Sequence, residues 1–116
     1  MQYLLLIYTP VDGGPAPDEL AAMFPQWSAY TESLQEAGVL RAGDALQGLD
    51  TAATVRVRDA ETLVTDGPFA ETKELLAGYY LIDVPDLDAA LGWAAKIPSV
   101  GYGSVEVRPI MVFDQG

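Results

Sequence analysis

Thr65-Asp66-Gly67-Pro68-Phe69-Ala70-Glu71-Thr72-Lys73-Glu74 packs a turn, an aromatic ring and four charges into ten residues. It falls between two strand-like runs, and its residue types suit acid–base chemistry. Asp66 stands at a strand end beside the stiff Gly67-Pro68 turn, which holds it in place. A held carboxylate that is partly buried has a raised pKa and can serve as a general base. Lys73 and Arg58 are candidates to grip an anionic substrate group or a developing oxyanion. Tyr8 and Tyr80 are candidate phenolic proton donors, provided the strand registers put them on one side, and Trp27 is a candidate apolar wall. A plainer reading covers the same residues. Asp66 is then an Asx-turn residue, Lys73 an ion-pair partner, and the tyrosines and tryptophan are core. Phe69 is expected to plug the loop onto the core, and residues 70–76 to form one helical turn bringing Glu71 and Glu74 towards Lys73. A loop of about eleven residues exceeds the usual hairpin connection, and long ordered loops on rigid scaffolds often carry function.

The rest of the composition removes whole classes of chemistry. There is no cysteine and no histidine, hence no disulfide, no thiolate, no imidazole and no Cys- or His-based metal site. Gly13-Gly14 lies outside any phosphate-binding pattern. Asp83, Asp86 and Asp88 cluster, but Asp86 reads as a helix cap and Asp88 as a first-turn charge. No metal and no cofactor is expected. A net charge of −11 from only six Lys and Arg repels nucleic acid and favours solubility. The apolar N-terminus lacks a basic region and a cleavage site, and no run reaches the length of a membrane span, so a cytoplasmic protein is expected. At 116 residues the chain reads as one domain, residues 1–116.

The elements that must position these residues follow from periodicity. Residues 3–8 are apolar at every position, the mark of a central strand covered on both faces. Tyr3, Leu5 and Ile7 point one way, and Leu4, Leu6 and Tyr8 the other. Residues 18–37 repeat Leu20, Phe24, Trp27, Tyr30, Leu34 and Ala37 at helical spacing. Pro25 either bends that helix or splits it into a short turn and a main helix, and Gly38 ends it. Residues 39–46 form a weak strand interrupted by Gly43. Residues 53–58 and 61–65 form a hairpin, with Val55 and Val57 expected to face in. Residues 78–84 read as a second central strand, with Tyr80, Ile82 and Val84 on one face and Tyr79, Leu81 and Asp83 on the other. A second helix follows the Asp86 cap, with Leu87, Ala90, Leu91 and Ala94 as its stripe. The last strand covers residues 104–113, with Pro109 marking an edge or a bulge.

The order is β-α-β-(β-β)-β-α-β. It predicts an α+β fold of ferredoxin-like type, with a mainly antiparallel sheet and an inserted hairpin. Two helices cover one sheet face, while the central strands are apolar on both. Tyr79, Leu81 and one row of residues 3–8 therefore need a second cover. Burying four such side chains is worth on the order of 6–10 kcal/mol. A second copy of the sheet is the simplest supplier, so the chain is expected to partner itself, as a two-fold homodimer through the face opposite the helices.

The nine residues from Asp66 to Glu74 resemble the full motif that names the DGPFAETKE family, within the broader YCII-related group. Tyr3-Leu4-Leu5-Leu6-Ile7-Tyr8, Ala37-Gly38-Val39-Leu40, Thr54-Val55-Arg56-Val57-Arg58, Gly78-Tyr79-Tyr80-Leu81-Ile82 and Gly103-Ser104-Val105-Glu106-Val107-Arg108-Pro109 are similar to its other blocks. The resemblance implies the dimeric α+β barrel superfamily and a bacterial setting, often near genes for alternative sigma factors. In related YCII proteins a His–Asp pair is the proposed centre. Asp66 matches the motif's aspartate, but this chain has no histidine, which leaves Asp66 to act alone. The expected function is binding or transforming a small organic molecule near this loop, possible chemistry being cofactor-free proton transfer with Asp66 as base. The alternative is a non-catalytic, dimeric ligand-sensing or protein-interaction module of a regulatory system.

Overall fold

The sheet of this protein is laid out by its two doubly apolar strands. A computed structural model describes residues 1–68, 70 and 72–113. The elements in chain order are β1 (Gln2–Pro10), α1 (Pro17–Ala22), α2 (Phe24–Glu36), β2 (Leu40–Ala45), a 3₁₀ turn (Leu49–Thr51), β3 (Ala53–Arg58), β4 (Glu61–Asp66), β5 (Glu74–Asp83), α3 (Leu87–Ala94) and β6 (Ser104–Pro109). The main sheet has the order β2-β5-β1-β6, with β1/β5, β1/β6 and β2/β5 all antiparallel. This is the ferredoxin-like α+β arrangement, and β1 and β5 occupy its centre, as their apolar runs require. Pro109 ends the edge strand β6, where its missing N–H costs no ladder bond.

The helices cover one face only. Tyr3, Leu5 and Ile7 of β1 alternate into that core with Ile82 of β5 and Val84 just after it, against Tyr30 and Leu34 of α2 and Ala90 and Ala94 of α3. Leu5, Leu34 and Ile82 are wholly buried, each worth about 1.5–3 kcal/mol of apolar transfer. Pro25 splits the first helical region as one of the two alternatives foresaw. Met23 separates α1 from α2, and Pro25 sits in the first turn of α2, where no N–H partner is lost. Gly38, at φ 73°, closes α2. Val39 N–H reaches back to Leu34 O (3.1 Å) and Gly38 N–H to Gln35 O (3.0 Å), a Schellman ending. Asp86 caps α3 by accepting from Ala89 N–H at 2.9 Å. Only the small half of the expected α3 stripe is buried. Ala90 and Ala94 press on the sheet, while Leu87 and Leu91 stay exposed.

Three local expectations are corrected. Residues 74–76 are not part of a helical turn: β5 starts at Glu74, because Glu74, Leu75 and Leu76 pair with Pro10, Thr9 and Tyr8. Expectations for Phe69 and Glu71 lie outside the described residues. The last strand ends at Pro109, and Met111, Val112 and Phe113 beyond it are exposed. In the hairpin, Val55 and Val57 do not face in: they are 62% and 56% exposed, and Thr54 and Arg56 are the more sheltered pair. The reason is that β3 and β4 form a two-stranded sheet of their own, outside the main sheet, and among the described residues the sheltered side is the one that carries Thr54 and Arg56.

The acidic cluster resolves as structure. The N-terminal amino group lies 2.9 Å from Asp83 Oδ1 and Arg41 Nη2 3.5 Å from Oδ2. The hydrogen bond from the amino terminus, aided by both positive charges, holds the Asp83 carboxyl below its usual range. Among the described residues no group of His, Cys, Asp and Glu has metal-holding geometry, and no helix is long and apolar enough to cross a membrane.

Candidate functional site

Two cavities flank one irregularity in the central strand pair. Ile7 pairs with Gly78, but Tyr8 pairs with Leu76, so Ala77 is an extra residue in β5. Such a bulge bends the strand and re-aims the side chains around it. Ile7, Thr9, Ala77 and Gly78 line one cavity, while Tyr8, Leu75 and Leu76 line the other.

The first cavity, about 490 Å³, lies between the first two helices and the sheet. Leu20 of α1, Phe24 and Trp27 of α2, Tyr80 of β5 and Tyr102, in the turn before β6, give it an aromatic and apolar wall. Trp27 and Thr31 stand four residues apart on α2 and so share its inner face. Thr31 Oγ1 and Tyr80 Oη are 2.7 Å apart. Gly43 lies opposite Tyr80 in the ladder, and a Cβ there would be 2.6 Å from Tyr80 Cδ1. The tyrosine ring thus rests on bare backbone, and the glycine read from sequence as a strand-breaker is what makes room for it. Behind, Tyr30 packs edge-on to Tyr80 at 5.4 Å and donates to Trp93 O at 2.9 Å. Burial, and then the neighbouring Tyr80, push the Tyr30 hydroxyl far up, and burial also raises that of Tyr102, so both stay protonated hydrogen-bond donors. Among the described lining residues Asp44 is the one charged group, and its carboxylate accepts from Tyr79 Oη at 2.7 Å.

The second cavity, about 730 Å³, belongs to the motif loop. Pro68, Ala70, Thr72 and Glu74 form one side, Tyr8 the floor, and Leu46, Leu49 and Thr54 the other side. Gly67, at φ 100°, makes the turn, a conformation that suits glycine. Its N–H donates to Ala52 O (2.7 Å) and its carbonyl accepts from Thr54 Oγ1 (2.8 Å), which pins the turn to β3. Tyr8 Oη donates to Glu106 at 3.4 Å, and Ser104 Oγ to Glu74 at 3.2 Å.

The candidate residues named from sequence are thereby distributed. Trp27 and Tyr80 meet in the helix-side cavity. Tyr8 lines the motif-side cavity, on the opposite sheet face, so the two tyrosines are not paired donors. Arg58 is at the outer end of the hairpin, its Nη1 donating to Val57 O at 2.9 Å. Lys73 is exposed, and its backbone carbonyl receives Val11 N–H at 2.9 Å. Asp66 is exposed at the end of β4, and its carboxylate has no hydrogen-bond or ion-pair partner among the described residues. Asp66, Arg58 and Lys73 are absent from the described lining of both cavities. Thr31, Gly43 and Tyr102 were missed. Thr31 was accessible through its i+4 spacing from Trp27. Gly43 and Tyr102 become site residues only through the β2/β5 register and the turn before β6.

Comparison with known proteins agrees with this architecture. Residues 1–114 match the family described as the YCII-related domain. An uncharacterised protein of Rhizobium meliloti (strain 1021) is 39% identical over 120 aligned positions, spanning 100% of this chain and 97% of that protein. With the family match covering nearly every residue and the relative covering them all, the chain belongs to the YCII-related domain family.

Proposed function

We propose that this protein binds a small, largely apolar organic molecule in the helix-side cavity, as a ligand-sensing module without turnover. The observation that carries this is the Trp27–Thr31–Tyr80 arrangement: an aromatic wall with one hydroxyl pair 2.7 Å apart at its back. Two hydroxyls carry two protons, and their mutual bond uses one. The pair therefore offers a ligand one donor and spare lone pairs. A net charge of −11 disfavours anions, so the ligand class is a neutral or cationic aromatic with a single polar group. Isothermal titration with naphthol tests this. Tyr80→Phe is expected to weaken binding about fivefold, the worth of one hydrogen bond. No measurable binding to the wild type across a panel of small phenols and indoles would reject the reading.

A second reading keeps proton transfer by Asp66. The observation favouring it is an exposed carboxylate, without a partner among the described residues, beside a turn pinned on two sides. It requires that Asp66→Asn abolish turnover found in any substrate screen. Under the binding reading, Asp66→Asn leaves naphthol affinity within twofold of wild type.

The protein acts, on this reading, as a homodimer through the sheet face opposite the helices. Leu4, Leu6, Tyr79 and Leu81 lie on that face and are only partly buried within the chain, unlike the fully buried row on the helix side. The chain is 18 Å in its thinnest dimension, and its radius of gyration is 16.4 Å. A compact domain of this length has a radius of about 13 Å.

A further inference from the structure

The hairpin of β3 and β4 presents an anomaly. Two-stranded hairpins are marginal in water unless a face is packed. This one has six paired positions, and among the described residues one of its faces is left largely exposed. Val55 faces Val64, and Val57 faces Thr62, so the three valines share that face, 56–66% exposed. Asp66 lies on the same face, paired with Ala53 at the root of the hairpin, where the motif-loop cavity begins. That cavity opens beside Tyr8, on the sheet face that carries Leu4 and Leu6.

From this geometry we infer that the hairpin is an arm laid by its valine face on a second copy of this chain, and that the second copy closes the motif-loop cavity. The inference rests on the homodimer of the preceding reading and adds the arm and the shared cavity to it. Size favours a second copy as the occupant. Four strands, six to ten residues long and spaced about 4.8 Å apart, offer a footprint of about 500 Å². A stable interface takes about 800 Å² from each partner. The sheet face alone therefore falls short, and the arm, two strands of six residues, adds about 200 Å². A two-fold axis satisfies both arms at once, each supplying what the other chain lacks. Asp66 then sits at the seam between subunits, with the cavity walls coming from both.

A decisive variant removes the valine face and keeps the hairpin. In Val55→Lys/Val64→Asp an opposite-charge pair replaces the apolar one directly across the ladder, which supports the hairpin while removing its sticky face. Leu63→Asp is the control on the other hairpin face, and Leu81→Arg disrupts the open sheet face. Analytical ultracentrifugation over a concentration series is expected to show a wild-type dimer, a double variant with dimer affinity weakened at least 100-fold, and a Leu63→Asp dimer within threefold of wild type. A dimeric wild type with an unchanged double variant overturns the arm. Monomeric Leu81→Arg in that same series leaves the sheet-face dimer standing, whereas a dimeric Leu81→Arg removes that too. A monomeric wild type overturns both. Because the chain has no cysteine, Thr51→Cys on the cavity wall is a unique thiol. Maleimide labelling is expected to be at least tenfold slower in the dimer than in the same chain carrying Val55→Lys/Val64→Asp, and equal rates overturn the shared cavity.

Discussion

Trp27→Ala is expected to lower naphthol affinity about 30- to 150-fold. The indole is the largest ring among the residues lining the helix-side cavity, and burying such a ring against a ligand is worth about 2–3 kcal/mol. The effect should exceed that of Tyr80→Phe, since one removes a wall and the other a single hydrogen bond. Trp27 also packs on the edge of the core, so the variant loses some stability. Titration well below its melting temperature, with Trp27→Phe as the conservative comparison, separates the two losses. Trp27→Phe should recover most of the affinity. A Trp27→Ala protein that binds naphthol as the wild type does would move the ligand site away from this cavity.

The second large effect is on folding. Gly103 comes immediately before β6, where a Cβ would lie 2.3 Å from Tyr8 O and 3.3 Å from Ser99 O. Both neighbours are backbone, and Gly103 N–H is itself tied to Ser99 O at 2.8 Å, so neither can step aside cheaply. Gly103→Ala should cost about 3 kcal/mol, the upper range for overpacking, and lower the melting temperature by about 10–15 °C. Gly92→Ala is the internal comparison. Nothing lies within 4 Å of a Cβ there, and the position is inside α3, where alanine is the better helix former. That substitution should raise the melting temperature by a few degrees. Equal melting curves for wild type and Gly103→Ala would show that β6 shifts away from β1 without penalty.

The two tyrosines show how far single-strand reasoning reaches. Alternation alone assigns Tyr8 and Tyr80 to faces of their own strands. Whether those faces coincide depends on how β1 and β5 register, and the bulge at Ala77 belongs to both strands at once. The same applies to residues 74–76. Locally they suit a helical turn, and pairing with residues 8–10 overrides that preference. Val55 and Val57 carry a related lesson. Period-two alternation identifies an apolar face correctly, but it does not say whether the same chain covers it.

What the amino-acid order determined by itself is the α+β element order, the central place of β1 and β5, the Asp86 cap, an interruption of the first helical region near Pro25 and the turn at Gly67. These depend on interactions within a few residues, or on the simple rule that a strand apolar on both sides must lie inside a sheet. Tertiary structure alone decided that Trp27, Thr31 and Tyr80 form one cavity over Gly43, and that Asp66 lies outside its lining. Those facts follow from inter-strand register and helix–sheet packing. They join residues tens of positions apart, where no local periodicity carries the information.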